Sequence, residues 1–309
     1  MKKILMAILI TCHLSSYSFA AEEDSGKDTP KDAAFYHNKG LDCLKKGLYD
    51  EAITNLNKAI ELNPALTEAY ATRGLTYQQK GKYDEAVTDL TKAIELNPKY
   101  IHAYMGRANA YSVKHLYDQA VSDYSRAIEI DPRYARAYDG RGAVYEKKGS
   151  HDKAISDYTR ALEIDPKYIR ALLDRGDVYA KKKLYDQALA DFRKAIEIDP
   201  KNAEACGRLG IMLCNTGQYD SAISECSKAI ELNPNSSYYF FERAIAYYEK
   251  KEYDKSWADY KKVEELRQLN NEPPFKEYQD FLKKLIRHPE KKDIPPERKG
   301  AVWVPQKRR

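Results

Sequence analysis

Six prolines, Pro64, Pro98, Pro132, Pro166, Pro200 and Pro234, stand 34 residues apart. A fixed period of that length marks a chain made of one repeated supersecondary unit, each copy burying its apolar face against its neighbours. Each proline closes a helical phrase, as in Ala59-Ile60-Glu61-Leu62-Asn63 and Ala127-Ile128-Glu129-Ile130-Asp131, because proline cannot donate the hydrogen bond a helix interior needs. Two helices of ordinary length and their turns fill one period. The spacing predicts an all-α fold of about seven helical hairpins.

Superposing the seven frames of 33–270 makes the chain its own alignment. Gly40, Gly74, Ala108, Gly142, Gly176, Gly210 and Ala244 share one column, and Ala52, Ala86, Ala120, Ala154, Ala188, Ala222 and Ser256 another. Antiparallel helices approach closely only where neither carries a bulky side chain, so these columns mark the crossing point of each hairpin. Large wedges surround it: Tyr77, Tyr111, Tyr145, Tyr179 and Leu213 on the first helices, Leu90, Tyr124, Tyr158 and Phe192 on the second. A column of Asp50, Asp84, Asp118, Asp152, Asp186, Asp220 and Asp254 is expected to open each second helix as an acceptor for free backbone N–H groups.

Phrases such as Tyr70-Ala71-Thr72-Arg73-Gly74-Leu75-Thr76-Tyr77, followed by Gly81-Lys82-Tyr83-Asp84-Glu85-Ala86, carry small, aromatic and turn positions together. The pattern resembles the tetratricopeptide repeat family over 33–270. Composition agrees: 32% charged residues, 26 Tyr against 7 Phe, and few Gly and Pro suit a polar helical array better than a sandwich or a parallel-sheet enzyme. The resemblance implies a right-handed superhelical solenoid whose first helices line a concave groove for peptides or partner proteins. Repeat seven departs from the pattern as terminal repeats do, with Val263 where Ala59, Ala93, Ala127, Ala161, Ala195 and Ala229 stand and no closing proline. The family's carboxylate clamp for chaperone C-termini is absent. The positions that would supply its Lys and Asn read His37, Leu41, Thr72, His102 and Gly106.

Both ends lie outside the repeats. Lys2 and Lys3, an apolar run over 4–10 and the small-x-small site Ser18-Phe19-Ala20 read as a secretory signal over 1–20, followed by a flexible linker over 21–32. The short lysine-led leader looks bacterial and predicts a periplasmic or secreted protein. A lipoprotein box at Leu9-Ile10-Thr11-Cys12, with a lipid anchor on Cys12, is disfavoured by Thr11. No stretch approaches the roughly 20 apolar residues of a membrane helix. After Pro273-Pro274, the residues Phe275, Tyr278, Phe281, Leu282 and Leu285 recur at helical spacing and predict a capping helix over 271–287. The remaining 288–309 reads as a basic, proline-containing flexible tail. Ten basic and three acidic residues over 283–309 give a net +7, against +5 for the whole chain.

Enzyme chemistry finds no foothold. There is no H-E-x-x-H pair, no Gly-rich phosphate loop after a strand and no G-x-S-x-G elbow, so no catalytic residue, metal or cofactor is assigned. A site assembled from variable groove columns is the remote alternative. Arg73, Arg107, Arg141, Arg175 and Arg243 share a column, and each repeat that holds one also holds Asp89, Asp123, Asp157, Asp191 or Asp259. Repeat one has Lys39 with Asn55, and repeat six Leu209 with Glu225. The covariation predicts an ion-pair ladder within or between hairpins rather than a basic surface for nucleic acid, which is not an expected partner.

Shared columns are explained by stacking, so function is sought where the repeats differ. The columns expected to face the groove run Ala34, Glu68, His102, Arg136, Arg170, Glu204, Tyr238 and Leu41, Leu75, Asn109, Ala143, Asp177, Ile211, Ile245. Candidate partner-binding residues are Asn109, Arg136, Asp139, Arg170, Asp174 and Asp177 in the middle. At the far end an aromatic stripe of Tyr238, Phe241, Ile245 and Tyr248 is expected to stay open in part. Cys206 and Cys226 flank the Gly210–Ala222 crossing and should face each other, leaving two readings, a disulfide and the favoured pair of buried thiols. The function expected is a non-enzymatic scaffold binding a protein or peptide in its groove. The alternative is a lipid-anchored assembly factor for an envelope or secretion machine.

Overall fold

The computed structural model describes residues 32–273 and 276–286. The leader, Cys12, Phe275 and the tail 288–309 lie outside the described residues. Two compact units divide the chain, Met1–Ala171 and Leu172–Arg309.

The first unit carries four hairpins: α1 (Ala33–Lys45) with α2 (Tyr49–Leu62), α3 (Thr67–Gln79) with α4 (Tyr83–Leu96), α5 (Ile101–Val113) with α6 (Tyr117–Ile130), and α7 (Ala135–Lys147) with α8 (His151–Ile164). The boundary falls inside α9 (Ile169–Lys181), which pairs in sequence with α10 (Tyr185–Ile198). The second unit continues with α11 (Ala203–Asn215), α12 (Tyr219–Leu232), α13 (Ser237–Glu249) and α14 (Tyr253–Asn270), and ends in α15 (Lys276–Ile286). The described residues thus form a helical repeat array with a C-terminal helix.

Local chemistry sets each boundary. Second helices in the proline-punctuated repeats run into Asn or Asp, in extended geometry in five of the six, as at Asn63 with φ −142° and ψ 92°, because the following proline excludes the helical region. The same side chain closes the turn beyond it: Asn63 Oδ1 accepts from Ala65 N at 3.0 Å, and Asp131 Oδ1 from Arg133 N at 2.9 Å. Inside the hairpins the chain reverses through one left-handed residue, Gly47, Gly81, Gly149 or Gly217 in four repeats and His115, Lys183 or Lys251 in the others. Only glycine takes that conformation without steric cost.

The small column is small because the second-helix wedge rests on it. A Cβ on Gly74 would meet Leu90 Cγ at 2.8 Å, one on Gly176 would meet Phe192 Cε1 at 2.5 Å, and one on Gly210 would meet Cys226 Sγ at 2.5 Å. Opposite them Ala86, Ala188 and Ala222 are fully buried. The second-helix wedges Leu90, Tyr124, Tyr158 and Phe192 are buried too, and each burial of this kind contributes about 1.5–3 kcal/mol. The first-helix tyrosines have a second role: Tyr111, Tyr145 and Tyr179 carry the guanidinium groups of Arg107, Arg141 and Arg175 over their rings.

The Arg–Asp ion pairs lie within each hairpin, and the same arginines tie neighbouring hairpins through a hydrogen bond to an uncharged acceptor. Arg107 holds Asp123 of its own hairpin with two bonds of 2.8 Å and reaches back to Thr91 Oγ1 of the preceding one at 2.9 Å. Arg73 and Arg243 repeat the arrangement with Asp89 and Asn57, and with Asp259 and Ser227. The Asp column corrects the expectation placed on it. Asp50, Asp84, Asp118 and Asp220 lie in the first turn, one residue inside the helix, and the cap residues Leu48, Lys82, Leu116 and Gln218 make no side-chain capping bond. These carboxylates instead receive Lys80, Lys114, Lys148 and Lys250 from the following repeat.

Candidate functional site

In the first unit the variable positions of α5, α7 and α9 make a buried network with a charged outer edge. Asp139, only 2% exposed, sits at the centre. The Tyr168 hydroxyl donates to its Oδ2 at 3.1 Å, and the same oxygen lies 3.3 Å from Nε of Arg170, whose side chain is 41% exposed. Beside it Tyr124 donates to Asn109 Oδ1 at 2.5 Å. Gly140 makes this reach possible, since a Cβ there would meet the Tyr124 ring at 2.4 Å. Burial first, and then the Asp139 charge, hold both tyrosine hydroxyls well above their ordinary range, so they stay protonated donors.

Asn109, Arg136 and Arg170 are therefore half-buried positions on this edge, whereas Asp139 is not a contact residue. Its column explains why: Ala71 stands there in repeat two, fully buried, so this is a packing column into which repeat four places a carboxylate. The nearby positions where the chaperone clamp would stand are spent internally, with His37 Nε2 3.1 Å from Thr72 Oγ1.

In the second unit Asp174 and Asp177 converge on a residue the sequence reading passed over. Arg208 Nη1 lies 2.8 Å from Asp177 Oδ2 and 3.6 Å from Asp174 Oδ1, and its Nη2 lies 2.6 Å from Glu204 Oε1. The signal was present, because Asp174, Arg208 and Glu242 occupy one column with charges that alternate at 34-residue spacing. Glu242 has no basic partner among the described residues. Burial raises its pKa to about 7, opposed in part by the hydrogen bond from Tyr238.

The aromatic stripe is mostly closed. Tyr238 is 46% exposed, but Phe241 is 3% exposed under Tyr278 and Phe281 of α15, with ring centroids 6.1 and 5.6 Å away. Tyr248 packs on Phe281 at 5.5 Å, and Ile245 packs against the same cluster. The C-terminal helix thus covers α13 as well as α14; Phe241 is a core residue and Tyr248 is half-buried against that core. Cys206 and Cys226 are free, as are Cys43 and Cys214, and all four are buried. The Cys226 sulfur packs against Gly210 instead of pairing. Among the described residues no group of three or more His, Cys, Asp or Glu could hold a metal, and no helix is long and apolar enough to cross a membrane.

No curated protein matches the sequence. Among solved structures, YrrB, described as a TPR protein with an unusual peptide-binding site, is 27% identical over 63% of this chain and 97% of its own, with a TM-score of 0.51. Two others show the fold alone. A tetratricopeptide repeat protein from Parabacteroides merdae ATCC 43184 is 22% identical over 82% of this chain and 98% of its own, with a TM-score of 0.61. The APC/C hetero-tetramer Cut9-Hcn1 gives 20% identity over 82% of this chain and 48% of the matched chain, with a TM-score of 0.64. Models described as tetratricopeptide repeat match 67–100, 134–201 and 180–240, and one described as TPR repeat matches 40–81 and 117–149. These matches span more than half of the sequence, and with the hairpin geometry they establish that the chain belongs to the tetratricopeptide repeat family.

Proposed function

We propose that this chain is a non-enzymatic scaffold that holds a protein or peptide partner against the first-helix faces of its repeats, and that the edge built on Arg170 receives a carboxylate of that partner. The observation carrying the proposal is the buried Asp139 behind the half-buried Arg170, whose side chain keeps 41% of its surface open. A fixed acceptor behind a surface cation orients the guanidinium before a ligand arrives, which lowers the ordering cost of binding. Arg136 stands one repeat earlier in the same column and adds a second positive charge. The likeness to YrrB supports reading the array as a protein-interaction module. The lysine-led leader over 1–20 supports action in the periplasm or the medium.

Fluorescence anisotropy with labelled acidic and basic peptides tests the reading on the chain from residue 21. Acidic peptides should bind more tightly, Arg170→Ala should weaken them about tenfold, and Asp139→Asn should weaken them with Arg170 still present. Equal retention of both peptide classes, or full affinity in Arg170→Ala, would remove the assignment. N-terminal sequencing of protein from fractionated cells, together with radioactive palmitate labelling, separates cleavage after Ala20 from a lipid anchor on Cys12.

A further inference from the structure

The junction between repeats five and six lacks both devices that tie four other junctions. Between repeats one and two, two and three, three and four, and six and seven, an arginine reaches back to a short polar acceptor: Arg73 to Asn57, Arg107 to Thr91, Arg141 to Ser125 and Arg243 to Ser227, at 2.6 to 2.9 Å. A lysine also crosses each of these junctions, from Lys80 to Asp50, Lys114 to Asp84, Lys148 to Asp118 and Lys250 to Asp220. At the five–six junction the arginine is Leu209, its acceptor is Arg193 and the lysine is Thr216. Thr216 turns its hydroxyl to its own helix, onto Met212 O and Leu213 O. The within-hairpin carboxylate has changed as well, to Glu225, which Lys228 of the same helix takes at 2.7 Å.

The charge that crosses this junction sits on the other face. Arg208 of α11 meets Asp177 and Asp174 of α9 on the groove side, with side chains 23 to 40% exposed. The ladder pairs are drier, with Arg243 and Asp259 only 19% and 9% exposed. Salt and water weaken an exposed pair far more than a buried bidentate one.

We propose that the junction between repeats five and six is a hinge in the array, and that Arg208 with Asp177 and Asp174 is the groove-side latch that holds it closed. Four positions have departed together from the ladder pattern here, which among the described residues leaves apolar stacking and the partly exposed Arg208 contacts with Asp177 and Asp174 to resist bending. A charged group in the groove could compete for the latch, whose side chains are 23 to 40% exposed.

Hydrogen exchange of the full chain, followed across α10 and α11 and compared with α4 and α5, tests the hinge. Exchange across α10 and α11 should quicken roughly threefold in Arg208→Ala and in Asp177→Asn, and also on raising salt from about 0.05 to 0.5 M, while α4 and α5 change little. The variant Arg193→Ser with Leu209→Arg, Thr216→Lys and Glu225→Asp should slow exchange there and remove its salt dependence. If α10 and α11 respond to salt and to Arg208→Ala no more than α4 and α5 do, the hinge is overturned. If the restored ladder folds, as judged by circular dichroism, and leaves exchange at this junction unchanged, the loss of the ladder is not its cause and the proposal falls.

Discussion

Arg141 grips Asp157 through two bonds of 2.8 Å, from Nε to Oδ2 and from Nη2 to Oδ1, while its Nη1 reaches Ser125 of the preceding hairpin at 2.9 Å. Removing the arginine strands a mostly buried carboxylate. Arg141→Leu should therefore cost about 2–4 kcal/mol in urea unfolding, and Arg141→Leu with Asp157→Leu should recover part of it. Additive losses in the double-mutant cycle would deny the coupling.

Glu242 makes stability depend on pH. Its folded pKa, near 7, stands above the ordinary 4.5, so between those values the folded chain binds more protons than the unfolded one. Stability is then fully present below about pH 4.5 and falls as pH rises through 7, by about 3 kcal/mol for this group. Glu242→Gln should flatten that part of the profile, measured by denaturant unfolding at pH 5 and pH 8.

The left-handed residue inside each hairpin offers a stabilising change. Lys251 has φ 63° and Lys183 φ 61°, where four other repeats place glycine. Lys251→Gly should raise stability by about 1 kcal/mol by relieving a Cβ clash, read as a higher Tm. His115, whose ring nitrogen lies 2.8 Å from the Tyr117 hydroxyl, should gain less from the same change.

Two aromatic residues three positions apart should behave differently. Phe241→Ala removes a buried ring beneath α15 and should cost about 3 kcal/mol or more, exposing α15 to early proteolysis. Tyr238→Ala, on a half-exposed side chain, should leave the proteolysis pattern intact.

The thiols should prove inert while the chain is folded. Burial pushes Cys214 up to about 12 and raises Cys206 and Cys226 as well. Alkylation followed by mass spectrometry should modify Cys206 and Cys226 only after unfolding, with no mass deficit from a bond between them.

The repeat architecture was legible because proline, glycine and alanine columns report backbone and close-approach constraints that every hairpin shares. The Arg–Asp ladder was legible for the same reason, since its two columns change together. Asp139 and Phe241 were misplaced by one error: both occupy a column that packs between hairpins, and their variability was taken for exposure. Ala71 in that column, fully buried, carried the correct signal. The position of α15 was legible as a helix but not as a cover for α13, because only one copy of that segment exists and no column constrains where it docks.

That cover gives the array a direction and a stop. Ala59 and Ala93 of earlier repeats share clusters with Ala69 and Ala103 of the hairpins that follow them. Val263, in the same column, finds Tyr278, Phe281 and Leu285 instead. A sticky end that would otherwise accept the first hairpin of another molecule is plugged by the chain's own last helix. End-to-end stacking of one array on another through that face is blocked, because the apolar surface it would need is already spent.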